Sequence, residues 1–212
     1  MKISIIGSGN IGGTLARLLV KAGHEVALAN TRGPASLQNF VDELGSKLHP
    51  VTIENAISYS DLIILSIPWR NIDSFPVFNA LDKIIVDTSN PYKPDGTIFE
   101  LGNDISSFKV VNHFPGGKVV KAFNTIWSNH LANLGSKSKP LDDRRVIPFA
   151  GNDKKSKATV SQLIEDIGFG PADTGNLVDG SKLQNVGGVL YNKDITLREA
   201  NQIIDNFKKH LV

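Results

Sequence analysis

The first sixteen residues constrain this chain most. Lys2-Ile3-Ser4-Ile5-Ile6 is an apolar run that breaks into Gly7-Ser8-Gly9-Asn10-Ile11-Gly12, after which Ile11, Leu15, Leu18, Leu19 and Ala22 recur at helical spacing. That pattern predicts a strand, a tight glycine turn and a helix. Gly23 stops the helix, and Glu25-Val26-Ala27-Leu28-Ala29 reads as a second strand, which completes a βαβ frame. Within such a frame each glycine has its own task. A side chain on Gly7 would obstruct the bend, one on Gly9 would hold a pyrophosphate off the backbone, and one on Gly12 would hold the helix off the strand. The frame therefore predicts a dinucleotide site, with phosphates at the free N–H groups and positive dipole end of the helix.

Which dinucleotide binds is decided at the end of the second strand, where side chains meet the adenosine ribose. An NAD site wants a carboxylate there, about 20 residues after the glycines, to bond the ribose 2′-hydroxyl. This chain has Asn30-Thr31-Arg32-Gly33. A carboxylate would repel a 2′-phosphate, whereas a guanidinium and a hydroxyl would hold one by charge-assisted hydrogen bonds. The loop favours NADP(H) over NAD(H). The alternative, that Arg32 is a solvated loop arginine and the cofactor is selected elsewhere, stays open on sequence alone.

The rest of the chain continues the alternation of strands and helices. A helix from Pro34 and Ser36 carries Leu37, Phe40, Val41 and Leu44 on one face and ends at Gly45. Pro50-Val51-Thr52-Ile53 reads as a third strand. The runs 61–67 (DLIILSI) and 83–87 (KIIVD) are almost wholly apolar, as strands covered by helices on both faces should be. They break at Ser66-Ile67-Pro68-Trp69 and at Thr88-Ser89-Asn90-Pro91. Ligands of open α/β sheets bind outside the carboxyl ends of the strands, so both stretches should face the nicotinamide half of the cofactor, and Ser66, Ile67, Pro68, Ser89 and Asn90 are candidate cofactor residues. A sixth strand, 118–127 (KVVKAFNTIW), places Asn124 on the same rim and runs into a helix over 128–134. Residues 92–108 read as irregular, with at most one or two helical turns.

Residues 135–143 (GSKSKPLDD) are the best candidate hinge. They divide the chain into a dinucleotide-binding unit, 1–134, and a small C-terminal α/β portion, 141–212, packed on it. That portion should contain a strand over 145–150, a helix with Val160, Leu163, Ile164 and Ile167, a short strand over 168–173, and a closing helix with Leu197, Ala200, Ile203, Ile204, Phe207 and Leu211 inward. The expected fold class is α/β, a doubly wound, mostly parallel sheet with helices on both faces.

Composition narrows the chemistry. With 212 residues and 41% hydrophobic content the chain can bury a full core, and 23 basic against 21 acidic residues leave a net charge of +2 with no polyanion-binding face, so no nucleic-acid partner is expected. There is no cysteine, which removes disulfides, thiol nucleophiles and thiolate metal sites. The histidines His24, His49, His113, His130 and His210 show no metal-ligand spacing. No apolar stretch approaches the roughly 18 residues of a membrane span, and the opening strand does not read as a signal peptide, so a cytoplasmic protein without membrane insertion is expected. G-x-S-x-G and Walker lysine motifs are missing, as is the tyrosine-x-x-x-lysine pair of short-chain dehydrogenases.

What remains is a cofactor fold without an evident acid or base; Asn124 and His113 are the weak catalytic candidates. Carbonyl reduction needs a proton donor beside the developing alkoxide, but hydride transfer to a flavin-like ring does not. Proximity and orientation would then be the protein's main contribution. Two alternatives stay open: a non-catalytic NADP(H)-binding module that senses redox state, and a small-carbonyl reductase with its base among Asn124, His113 and Lys182.

The N-terminal stretch through Pro34, the rim stretch SIPW, the VKAFNTIW block, the AGND turn and the late GSKLQNVGGVLYN together resemble the NADPH-dependent deazaflavin (coenzyme F-420) reductase family, over almost the whole chain and in order. Similar domains form the cytoplasmic part of membrane ferric reductases. The resemblance implies a Rossmann domain with a small C-terminal portion, a homodimer, and hydride transfer between NADP(H) and a deazaflavin or flavin as small-molecule acceptor. By matching position it implies that Ser8, Gly9, Asn10 and Ile11 hold the pyrophosphate and that Thr31 and Arg32 hold the 2′-phosphate. Ile67 and Ser89 would lie along the cofactor, and Ala122 would meet the nicotinamide carboxamide. The loop after the second strand lacks a further lysine that some members of that family carry.

Overall fold

A computed structural model describes residues 1–101 and 104–209. His210 and Leu211, the latter expected on the closing helix's inner face, lie outside the described residues, as do positions 102 and 103 of the stretch expected to be irregular. The strands are β1 (Lys2–Ile6), β2 (Glu25–Ala29), β3 (Leu48–Pro50), β4 (Leu62–Leu65), β5 (Ile84–Asp87), β6 (Lys118–Ala122), β7 (Val146–Gly151) and β8 (Gly170–Asp173). They form one sheet in the order β3-β2-β1-β4-β5-β6-β7-β8, and only the β6–β7 pair is antiparallel. The helices are α1 (Asn10–Lys21), α2 (Gln38–Leu44), α3 (Ile53–Tyr59), α4 (Phe108–His113), α5 (Ser128–Asn133), α6 (Lys154–Asp166), α7 (Leu177–Gln184) and α8 (Leu197–Lys209). This is the doubly wound α/β architecture expected of the sequence.

Alternation along the strands feeds two cores. Ile3, Ile5, Leu62, Ile64, Val86, Val120 and Ala122 pack with α1, α5 and α6, while Ile63, Leu65, Ile85 and Val119 pack on the opposite face with Ala56 of α3 and Val110 of α4. Successive side chains of a strand point to opposite faces, so a run covered on both sides has to be apolar throughout. A third cluster joins Val146 and Ala172 of the late strands to Leu183, Leu197, Ala200 and Ile204 of α7 and α8. Residues 135–143 lead from α5 into β7, and the Ser136 N–H donates to the Gly168 carbonyl at 2.8 Å. The strands on either side of this stretch then pair within the same sheet.

Several expected boundaries are corrected. The third strand ends at Pro50, because the Thr52 hydroxyl accepts from the Asn55 N–H at 3.3 Å and caps α3, a helix absent from the sequence reading. The sixth strand stops at Ala122 and does not run to Trp127. Phe123 has φ +63°, a left-handed conformation that turns the backbone out of the ladder. Strand β4 ends at Leu65, which leaves Ser66 and Ile67 beyond the sheet's carboxyl rim. Helices α4 and α7 are likewise absent from the sequence reading, as is the short 3-10 helix Trp69–Ser74.

Candidate functional site

The glycine turn is held by three different constraints. Gly7 has φ +108°, and a Cβ there would lie 2.0 Å from the Ser66 carbonyl oxygen of the neighbouring strand end. At Gly12 a Cβ would lie 1.9 Å from the Gly7 carbonyl oxygen, which is the close helix–strand approach expected of it. Gly9 differs, because a Cβ there would meet nothing within 4 Å. It is the N-cap of α1, no side chain caps that helix, and the N–H groups of the first turn stay available. A free helix N-terminus behind open space fits an anion such as a pyrophosphate.

Two cavities meet at this turn. The first, about 400 Å³, is lined by Gly7, Ser8, Gly9, Asn30, Thr31, Arg32, Ser66, Ile67 and Pro68, with Asn71 and Ser74 beyond them. Asn30 ties its two sides together: its amide donates to the Ser8 hydroxyl at 2.8 Å, and its carbonyl oxygen accepts from the Arg32 N–H at 2.9 Å. Thr31 and Arg32 are exposed at the mouth, and Arg32 takes no part in the ion pairs of the described residues. Arg17, by contrast, is held by Glu43 at 2.7 Å, which draws the Glu43 carboxyl below its usual range through hydrogen bonds from Arg17.

The second cavity, about 410 Å³, begins at Asn10 and Ile11 and is walled by Thr88, Asn90, Tyr92, Phe123, Asn124, Ile126, Trp127, Tyr191 and Asn192. Its floor is a ladder of amides. Asn90 donates to the Asn124 carbonyl at 2.8 Å, and the Asn124 amide donates to the Asn90 side chain at 3.1 Å and to the Gln184 carbonyl at 2.9 Å. The Asn192 N–H donates to the Thr125 carbonyl at 3.1 Å. Both Phe123, at φ +63°, and Asn192, at φ +52°, hold a conformation that costs on the order of 1–3 kcal/mol. Strain of this kind gathers where a site is shaped.

Beneath that cavity's rim lies a group the sequence reading missed. Lys121 and Asp87 are both fully buried and pair at 2.9 Å. The Lys121 ammonium also donates to the Ser89 carbonyl and, at 3.2 Å, to the Ser106 hydroxyl, while Asp87 accepts from the hydroxyls of Ser89 and Ser107 at 2.6 and 2.8 Å. Burial pushes the Asp87 carboxyl up, but the Lys121 charge and the Ser89 hydrogen bonds outweigh it and leave Asp87 below the usual carboxylate range. The pair fixes the carboxyl ends of β5 and β6 and the backbone just before Asn90. Its signal in the sequence was two charges at equivalent ends of neighbouring apolar strands.

The expected residues thus fall into groups. Gly7, Ser8, Gly9, Asn30, Thr31, Arg32, Ser66, Ile67 and Pro68 share the first cavity, and Asn10, Ile11, Asn90 and Asn124 share the second. Gly12 is buried behind the turn, Ser89 is engaged with Asp87 and Lys121, and Ala122 is fully buried; none of the three is among the residues lining either cavity. His113 lies at the end of α4 with its Nε2 2.7 Å from the Phe75 carbonyl oxygen, and Lys182 pairs with Asp179 at 3.0 Å; neither is among the residues lining these two cavities. Tyr92 and Tyr191, which sequence reasoning did not single out, meet hydroxyl to hydroxyl at 2.8 Å in the second cavity. They are 99 residues apart, so no local pattern joins them.

Comparisons with known proteins follow this geometry. A family described as coenzyme F420-dependent NADP oxidoreductase matches residues 2–91. The metalloreductase STEAP3 of Rattus norvegicus is 28% identical over 188 residues, which cover 87% of this chain and 36% of the relative. The chain spans about a third of the length of this and the related curated metalloreductases. Among solved structures, a hypothetical protein from Sinorhizobium meliloti is 32% identical with a TM-score of 0.82, over 92% of this chain and 95% of that one. A protein from Arthrobacter sp. FB24, provisionally described as an F420-dependent NADP-reductase, is 25% identical with a TM-score of 0.67, over 83% and 85% of the two chains.

Proposed function

We propose, from the match of residues 2–91 to the family of coenzyme F420-dependent NADP oxidoreductases, that this chain holds NADPH across the glycine turn and delivers hydride to a flavin-like or deazaflavin ring in the second cavity. One observation carries the reading: residues 7–9 line one cavity and residues 10–11 line the other, so a dinucleotide whose pyrophosphate sits on the turn has one half in each. The chain's own groups divide the work. The α1 N–H groups and the space before Gly9 receive the pyrophosphate. Thr31 and Arg32 take the 2′-phosphate, with Asn30 fixing their loop against Ser8. Ser66, Ile67 and Pro68, expected beside the nicotinamide, share a cavity with Thr31 and Arg32 and so line the adenosine side, and Asn90 and Asn124 offer amide groups to the nicotinamide carboxamide. NADPH supplies the hydride; Phe123, Ile126 and Trp127 exclude water and align the acceptor.

The same reading takes 1–134 as the cofactor unit and 141–212 as the part that closes the acceptor side, and it expects a cytoplasmic homodimer. Among the described residues no helix is long and apolar enough to cross a membrane. The test is to mix the protein with NADPH and, in turn, a deazaflavin, FMN, FAD and a ferric chelate. NADPH oxidation with a ring acceptor, and much less with NADH, is the expected result. Binding of NADPH without oxidation by any acceptor would favour a redox-sensing module instead.

A further inference from the structure

The second cavity contains more polar chemistry than ring-to-ring hydride transfer uses. The hydroxyls of Tyr92 and Tyr191 lie 2.8 Å apart within it, carried by segments 99 residues apart in the chain. Tyr191 is fixed through the neighbouring Asn192, whose N–H bonds the Thr125 carbonyl, and Tyr92 through its bridge to Ile98. The cavity's other walls are Ile11, Phe123, Ile126 and Trp127 with neutral amides, and none of its lining residues carries a charged side chain. A site without a cation does not select a carboxylate or phosphate, because such anions are recognised by charge-assisted hydrogen bonds. A flat, apolar, neutral molecule with one hydrogen-bonding oxygen is what these walls complement.

We propose that the cavity reduces an uncharged carbonyl compound with an aryl-sized apolar body, and that the Tyr92–Tyr191 hydroxyl pair supplies the proton. This activity rests on the placement of NADPH given above and adds a second class of acceptor to it. In the step, a C–H bond forms at the carbonyl carbon from the hydride that NADPH supplies, and the C=O π electrons collect on oxygen. One tyrosine O–H breaks as its proton goes to that oxygen, and the other hydroxyl passes a proton along the hydrogen bond and regains one from water. NADPH is oxidised to NADP⁺ and the carbonyl reduced to an alcohol, with one proton consumed from solvent. Burial and the neighbouring Tyr92 hold the Tyr191 hydroxyl well above the usual phenol range, which keeps it protonated while an alkoxide, more basic still, develops beside it.

The experiment uses acetophenone and its anionic analogue benzoylformate with the whole chain. Oxidation of NADPH by acetophenone, at a rate at least about tenfold above benzoylformate, is expected, since the anion would enter a cavity without a counter-charge. Tyr191→Phe and Tyr92→Phe should each lower kcat for acetophenone by about 10²- to 10⁴-fold, the usual yield of a positioned acid. Binding is read separately through quenching of Trp127 fluorescence by acetophenone in the presence of NADP⁺, with Trp127→Phe as the control that removes the signal, Trp69 being the only other tryptophan. Quenching that survives in both tyrosine variants while kcat falls supports the assignment. If wild-type protein binds NADPH but acetophenone neither quenches Trp127 nor oxidises NADPH, the carbonyl activity is overturned and the NADPH reading stands; if NADPH itself does not bind, both fall. Unchanged kcat in both variants would also overturn the proton-donor role.

Discussion

The two cavities that meet at the glycine turn are built by opposite means. The first owes its shape to backbone: two glycines that admit no Cβ, a third that faces open space, and a loop pinned by one asparagine, with a single exposed guanidinium at its mouth. The second owes its shape to side chains from distant segments, held by amide hydrogen bonds, two left-handed residues and a buried ion pair beneath the rim. A backbone-and-charge site recognises what every dinucleotide phosphate shares. A side-chain site with neutral walls recognises shape, and a few substitutions can change its ligand while the fold stays the same. On the proposed reading the difference assigns cofactor choice to Arg32 and acceptor choice to Tyr92, Phe123, Trp127 and Tyr191.

The sharpest way to break the second region is Lys121→Met, which strands the Asp87 carboxyl in the interior and should cost about 3–5 kcal/mol of folding stability in urea titrations at neutral pH. Its pH dependence gives the sign. In the wild type the Asp87 carboxyl is held below its unfolded value of about 3.9, so its stabilising contribution is present above that pH and is lost as pH falls through the lower folded value. In the variant the unpaired carboxyl is raised, so the deficit should be full at pH 7 and shrink on acidification. A deficit that does not change with pH would mean that lost packing of the lysine stem, and not the stranded charge, is responsible.

Breaking the first region takes one methyl group. Gly12→Ala drives a Cβ toward the Gly7 carbonyl and should cost about 1–3 kcal/mol or more by overpacking, read by the same titration. Arg32→Ala should leave folding untouched and weaken NADPH binding by about 1.5–3 kcal/mol while barely altering NADH, as isothermal titration would report. Equal losses for both cofactors would remove the guanidinium from 2′-phosphate recognition. The smallest structural change is expected at Gly9→Ala, where the side chain enters open space: stability should stay within about 0.5 kcal/mol, because nothing packed is disturbed, while both cofactors bind less tightly.

How much of this was legible in the sequence follows from the same contrast. The glycine turn, the covered parallel strands and the NTRG loop are local patterns, and each predicted element lies within a few residues of the observed one. The glycine turn and the NTRG loop of the first cavity could therefore be named from the sequence, whereas its wall of Ile53, Asn71, Ser74, Phe75 and Pro76 could not. Strand β6 was read too long because Phe123, Ile126 and Trp127 carry its apolar character past Ala122, and nothing in the composition announces that Phe123 adopts a left-handed turn. Thr52 was assigned to a strand because a threonine suits a strand as well as it caps a helix. The Tyr92–Tyr191 pair and the Lys121–Asp87 pair depend on contacts between segments 99 and 34 residues apart, which periodicity does not encode.

The central claim is that one dinucleotide spans both cavities with its pyrophosphate on the turn. The direct measurement is a crystal structure of the protein with NADP⁺. The 2′-phosphate should lie within hydrogen-bond reach of Thr31 and Arg32, and the nicotinamide ring should stand in the second cavity against Asn124 and Tyr191. A nicotinamide turned away from that cavity, or a 2′-phosphate remote from Arg32, would contradict the account.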